Sequence, residues 1–114
     1  MIKDAKQVLK DAEDAGRQSA AQYIARLTYV VAQVTEQPIT QVKLLDQVKF
    51  LQTPEGNSDA QSFATRAYER WRTNYLQAPD FEIDTGTMSV EEMGSAMAQS
   101  FSMAFQNCVQ DIPK

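Results

Sequence analysis

The residues in this chain best suited to hold an ion are acidic. Asp80, Glu82 and Asp84 alternate along a short segment, and Glu91 follows eleven residues after Asp80. Calcium takes six to eight hard oxygens from a short loop, and positions one, three, five and twelve of a helix-flanked calcium loop carry ligands at this spacing. The details run against that chemistry. The sixth position, where the turn requires glycine, is Thr85, and Gly86 comes one place late. Thr87 stands where an apolar residue belongs, and Pro79 interrupts an incoming helix. Ser89 and Glu91 serve equally as a helix start, where acids favour the positive end of the macrodipole. The principal expectation is therefore no metal and no cofactor. A calcium-responsive regulator using Asp80, Glu82, Asp84 and Glu91 is the alternative.

A second cluster is basic. Arg66 and Arg70 lie one helical turn apart with Arg72 beside them, a patch that fits a phosphate or an acidic partner. A solvated outer face explains the same pattern and carries more weight, since isolated surface charges contribute little. Catalytic groups are sparse. The chain has no histidine, which removes the commonest general base and every Ser-His or Cys-His pairing. It has no phosphate-binding loop, no dinucleotide glycine motif and no paired Cys-x-x-Cys. The carboxylate pairs Asp11/Asp14 and Glu91/Glu92 sit at spacings typical of a solvated helix face. Cys108 falls on an apolar arc with no nearby base, so it reads as a small buried hydrophobe. Together these features point away from an enzyme.

The elements that position these residues read as helices. From about Asp4 to Thr35, apolar and small residues recur at steps of three and four: Ala5, Leu9, Ala12, Gly16, Ala20, Tyr23, Leu27, Val30 and Val34. That is one stripe of a long amphipathic helix, which Asp4 and Gln7 cap at its start. Gly16, at a cost of about 1 kcal/mol relative to alanine, is its weak point. Pro38 ends the pattern. A second helix is expected over Ile39 to Gln52, with Leu44, Leu45, Val48 and Leu51 on one arc and Val42 and Phe50 off it, so that the helix is either buried on two sides or meets a partner with its second side. Thr53 to Asn57 has turn composition, and Ser58 with Gln61 starts a third helix that ends near Leu76. Its inner face is Ala60, Ala64, Ala67, Trp71 and Tyr75. A loop from Gln77 to Met88 follows. Ser89 with Glu92 then forms a capping box for a fourth helix, Val90 to about Gln110, stopped by Pro113. Its apolar arc is Val90, Met93, Met97, Phe101, Ala104, Phe105 and Cys108. Gly94, Ala98 and Ser102 form a ladder of small residues off that arc, with Met103 on the far side.

The expected fold is all-α: one helical domain over residues 1–114, with about four helices in an antiparallel bundle or a related packing and a long first helix. At 114 residues, 43% of them hydrophobic and 23% charged, the chain has the composition of a globular domain. No stretch approaches the ~20 apolar residues of a membrane span, and the mixed charges of Ile2 to Lys6 do not form a signal peptide. A lone cysteine agrees with a reducing compartment, so the cytoplasm, or a particle assembled there, is the expected location. Net charge is −4, and Asp80 to Asp111 holds six acids and no base. A nucleic-acid binder needs a basic stripe instead. The functional expectation is a non-enzymatic protein–protein interaction module: an adaptor, assembly factor, chaperone or structural subunit, with a protein partner or further copies of itself. The expected partner contacts are Val42, Phe50, Gly94, Ala98 and Met103.

Overall fold

The computed structural model describes residues 2–77 and 81–111. Pro79, Asp80 and Pro113, invoked above, lie outside the described residues. Helix makes up 81% of the structure. The order is β1 (Ile2–Asp4), α1 (Ala5–Thr35), a 3₁₀ turn (Ile39–Gln41), α2 (Leu44–Gln52), α3 (Pro54–Leu76), β2 (Glu82–Asp84) and α4 (Val90–Gln110). The molecule is a rod of 50 × 23 × 22 Å. At 1.5 Å per residue, the 31 residues of α1 alone span about 46 Å of it.

Local chemistry sets the helix limits. The Asp4 carboxylate accepts from the Gln7 N–H at 2.9 Å and starts α1. Glu36 closes it in the left-handed conformation, φ 56° and ψ 39°, and Pro38 follows. At the start of α4, the Ser89 hydroxyl accepts from the Glu92 N–H, and the Glu92 carboxylate accepts from the Ser89 N–H in return.

Two starts differ from the sequence reading. The second helix begins at Leu44, because Val42 and Lys43 are extended after the 3₁₀ turn. The third begins at Pro54 rather than Ser58. Proline suits a first helical position, where its missing N–H is not needed. The Thr53 hydroxyl accepts from the Gly56 N–H at 3.0 Å and donates to the Phe50 carbonyl at 2.6 Å. One residue thus ends α2 and starts α3. The chain reverses so tightly there that a Cβ on Gly56 would collide with the Phe50 carbonyl.

The expected loop also contains an element. β2 lies parallel to β1, with Ile2 opposite Glu82, Lys3 opposite Ile83 and Asp4 opposite Asp84. Parallel strands need a long crossover, and α1, α2 and α3 supply it. Each strand leads into a long helix, and the two helices also run the same way. Val8 and Ala12 of α1 share a cluster with Met93 and Met97 of α4. Further along, Tyr23 meets Phe105 at 5.8 Å between ring centroids. The expected antiparallel order therefore holds for α3 against its neighbours, while α1 and α4 are parallel. Between these contacts the helix backbones nearly touch. A Cβ on Gly16 would meet the Phe101 carbonyl and would lie 3.1 Å from the Ala104 Cβ.

The core forms two groups around this crossing. Toward the strands, Val8, Ala12, Met93 and Met97 are buried beneath Tyr68, Trp71 and Tyr75 of α3. Toward the other end, Ala20, Tyr23, Leu27, Val31, Phe50 and Phe105 are enclosed. Phe101 bridges the two, edge-on to Tyr68 at 5.3 Å.

Gly16→Ala gives a test of sign. Helix propensity alone predicts a gain of about 1 kcal/mol. The backbone contact with Phe101 instead predicts a loss of about 1–3 kcal/mol, because the helices must separate to admit the methyl group. A denaturant melt that shows stabilisation would rule out the close crossing.

Candidate interaction surface

The residues singled out in the sequence are dispersed by the fold. Glu82 and Asp84 are exposed on β2, drawn out along β1 rather than coiled around a centre, and Glu91 is exposed in the first turn of α4. The Asp84 carboxylate accepts from the Gly86 N–H at 2.9 Å. Among the described residues, no group of three or more His, Cys, Asp or Glu side chains is placed to hold a metal ion. Arg66, Arg70 and Arg72 are all exposed on α3. The Arg66 Nε donates to the Ser62 carbonyl of its own helix at 3.3 Å. Ion pairs among the described residues lie elsewhere: Lys3 with Asp11, and Arg17 with Glu13 and Asp14.

The expected partner contacts separate into three groups. Gly94 and Ala98 are half-buried at the rod's side, and a Cβ on Gly94 would meet nothing within 4 Å. The small-residue ladder is therefore not a helix crossing of this bundle; Gly16 makes that crossing. Met103 is 57% exposed beside a shallow groove that Arg17, Asn107 and Cys108 also line. Val42 and Phe50 need correction. Phe50 is only 7% exposed and belongs to the core, and Val42 packs against the same cluster. Phe50 is on the inside because the Gly56 contact and a hydrogen bond from Gln47 to Thr28 (2.8 Å) fix which side of α2 faces the bundle, and Val42, in the extended segment before α2, is partly buried against the same core.

The reverse correction identifies the candidate surface. Leu44 and Leu45, expected in the core, are 53% and 59% exposed. Val34 in the last turns of α1 is 45% exposed, and Ile39 in the 3₁₀ turn is 47% exposed. All four lie at the end of the rod formed by the C-terminus of α1, the 3₁₀ turn and the start of α2. Single exposed apolar residues are ordinary; these four stand on adjoining elements, while toward the strand end Ile2, Leu76 and Val90 are the exposed large apolar residues.

Beside this end lies a cleft of about 280 Å³ among α2, α3 and α4. Val48, Leu51, Ala60 and Val109 contribute its apolar surface, and Gln52, Asn57, Gln106 and Gln110 contribute carboxamides.

At the strand end the polar groups are engaged with one another. One Asp11 carboxylate oxygen accepts from the Lys3 ammonium at 2.9 Å and from the Tyr75 hydroxyl at 2.6 Å; the other accepts from Gln7 Nε2 at 2.8 Å. The Lys3 ammonium lies 4.4 Å from the Phe81 ring centroid and 5.1 Å from that of Tyr75, within cation–π range. Burial by itself would raise the Asp11 pKa. The hydrogen bonds from Tyr75, Lys3 and Gln7, with the Lys3 charge, outweigh it and hold the carboxyl below its usual range. Burial and the Asp11 carboxylate push the Tyr75 phenol upward, so it remains a donor. Burial and Asp59 do the same to Tyr23, whose hydroxyl donates to Asp59 at 2.7 Å. Sequence spacing gave no sign of the Asp11 centre, since its partners Lys3 and Tyr75 come from other elements. It fastens β1 and α3 to α1.

Comparison with protein-family models, curated proteins and solved structures finds no match.

The Asp11 centre predicts a pH dependence. A carboxylate with a lowered folded-state pKa contributes stability above its unfolded value, near pH 4, and loses it as pH falls through the folded value. Tyr75→Phe should therefore cost about 1–2 kcal/mol at pH 7, and the gap from the parent should narrow below about pH 4. A gap constant from pH 7 to pH 2.5 in urea melts would contradict the assignment.

Proposed function

We propose that this chain is a non-enzymatic protein–protein interaction module, an adaptor, assembly factor, chaperone or structural subunit, that docks through the apolar end of its rod. The observation that carries this reading is the exposure of Val34, Ile39, Leu44 and Leu45 on three consecutive elements. Covering these side chains removes apolar area from water at about 25 cal/mol per Å², and the polar backbone of a well-capped helix needs nothing further. The occupant is a partner protein or a further copy of the chain, and the reading places the protein in the cytoplasm or in a particle assembled there. Among the described residues, no helix is long and apolar enough to cross a membrane.

A photo-crosslinking amino acid at position 45, expressed in the native host, should give a discrete protein adduct. The same group at Glu69, an exposed position on α3, should not. Leu44→Ser combined with Leu45→Ser should abolish an adduct formed from position 39 while changing stability by less than about 1 kcal/mol, as at exposed sites. An undiminished adduct in the double variant would show that this end is not the docking surface.

A further inference from the structure

The two short strands have a mixed inner face. In each, the outer members are exposed and only the middle residue turns inward: Lys3 in β1 and its register partner Ile83 in β2. Ile83 packs on the buried group Val8, Ala12, Met93 and Met97, as strand alternation over a core requires. Lys3 fills the matching place with a charge, and its side chain is only 18% exposed. Lysine is seldom covered to this extent unless its ammonium is paired.

The pairing comes from other elements. Asp11 of α1 accepts from the ammonium at 2.9 Å. The ring of Phe81, just before β2, lies 4.4 Å from it, and that of Tyr75 on α3 lies 5.1 Å away. Tyr75 meets Phe81 at 5.0 Å and Trp71 at 4.7 Å between centroids. The Lys3 ammonium thus joins α1, α3 and the approach to β2 at one point.

What this box closes over is soft and apolar. Met93 and Met97 are 3% and 2% exposed, whereas Tyr68, Trp71, Tyr75, Ile83 and Met88 around them are each partly buried. A two-stranded sheet of three-residue strands has little stability of its own. An apolar residue at position 3 would hold β1 down by burial alone. A lysine holds it down only while Asp11 and the two rings keep its charge. The far core has no such dependence: Tyr23, Leu27, Val31 and Phe105 are fully buried and lie beyond the Gly16 crossing. Regions with fewer fully buried contacts open at lower free energy than the whole fold.

We infer that β1 is a strap over Met93 and Met97, locked by the Lys3 ammonium in the box of Asp11, Tyr75 and Phe81. Releasing that charge opens the strand end while the far core stays folded. The inference does not rest on the docking reading, which concerns the opposite end of the rod.

The two methionines report opening directly. Hydrogen peroxide transfers one oxygen to an accessible thioether, giving the sulfoxide and water. Met103, 57% exposed on α4, is the internal reference. Mass spectrometry of the whole chain after digestion follows the three oxidation rates, and amide exchange at Tyr23 and Leu27 follows the far core. Lys3→Gln keeps a hydrogen-bond donor and removes the charge. It should speed Met93 and Met97 oxidation about 10- to 100-fold, the effect of losing one hydrogen bond to a charged group. Met103 oxidation and Tyr23 and Leu27 exchange should stay within about twofold of the parent, because well-separated sites act independently. Lys3→Arg, which keeps the cation, should oxidise close to the parent rate. The inference is overturned if Lys3→Gln leaves Met93 and Met97 as slow as in the parent, or if Lys3→Arg oxidises as fast as Lys3→Gln. It is equally overturned if Tyr23 and Leu27 exchange accelerates by the same factor as the oxidation, since the chain would then open as one unit.

Discussion

Where α1 and α4 cross, the space beside Gly16 is filled by the Phe101 carbonyl rather than by a side chain. That contact requires two long helices to lie side by side with only small residues between them. Ala12, Ala15, Ala20 and Ala104 around it are all buried. Much of the remaining architecture follows. With α1 and α4 pointing the same way, the chain between them must come back, and α3 is the return. The strands that feed the two helices then emerge parallel and close enough to pair. Small residues at the crossing cannot fill the core above and below it. The bulk comes from the rings of α3: Phe63 reaches Tyr23, Tyr68 and Trp71 reach Phe101, and Tyr75 stacks beside Trp71 over Val8, Ala12, Met93 and Met97.

The same geometry leaves the far end of the rod open. α1 continues through its last turns to Thr35, and the nine-residue α2 is too short to cover both itself and that end. Its one deep anchor is Phe50, locked by the tight reversal at Thr53 and Gly56. Once Phe50 is inside, helical periodicity puts Leu44 and Leu45 outside. The apolar end is thus a consequence of how α2 is fastened, and any change that freed Phe50 would alter which apolar side chains are exposed there.

Much of the fold is legible in the sequence wherever a local signal acts alone. Asp4 and Ser89 announce helix starts because a side-chain oxygen and a backbone N–H three residues on suffice to make the bond. The α1 stripe from Ala12 to Leu27 is plain because 3.6-residue periodicity over many turns has one interpretation. α2 shows the limit. Its apolar residues lie on two sides, and nine residues do not decide which side is inner. The deciding contact, Gly56 against the Phe50 carbonyl, depends on a chain reversal. The two apolar sides of α2 are therefore readable, but not their depth: Phe50 lies deepest, Leu51 packs on the same core, and Leu44 and Leu45 are outside. β1 and β2, at three residues each, are too short for strand alternation to register. Asp11 looked like one half of a solvated carboxylate pair, because nothing local connects it to Tyr75, 64 residues away.

The central functional claim is that the end bearing Leu44 and Leu45 is covered in the protein's working state. Carbene footprinting, which labels exposed aliphatic side chains, compares the purified chain with the same chain in its native extract. Leu44, Leu45 and Ile39 should label strongly in the purified protein and fall several-fold in the extract. Val90, 82% exposed at the opposite, strand end, should label equally in both. Equal labelling of Leu44 and Leu45 in both samples, or protection of Val90 in their place, would contradict the account.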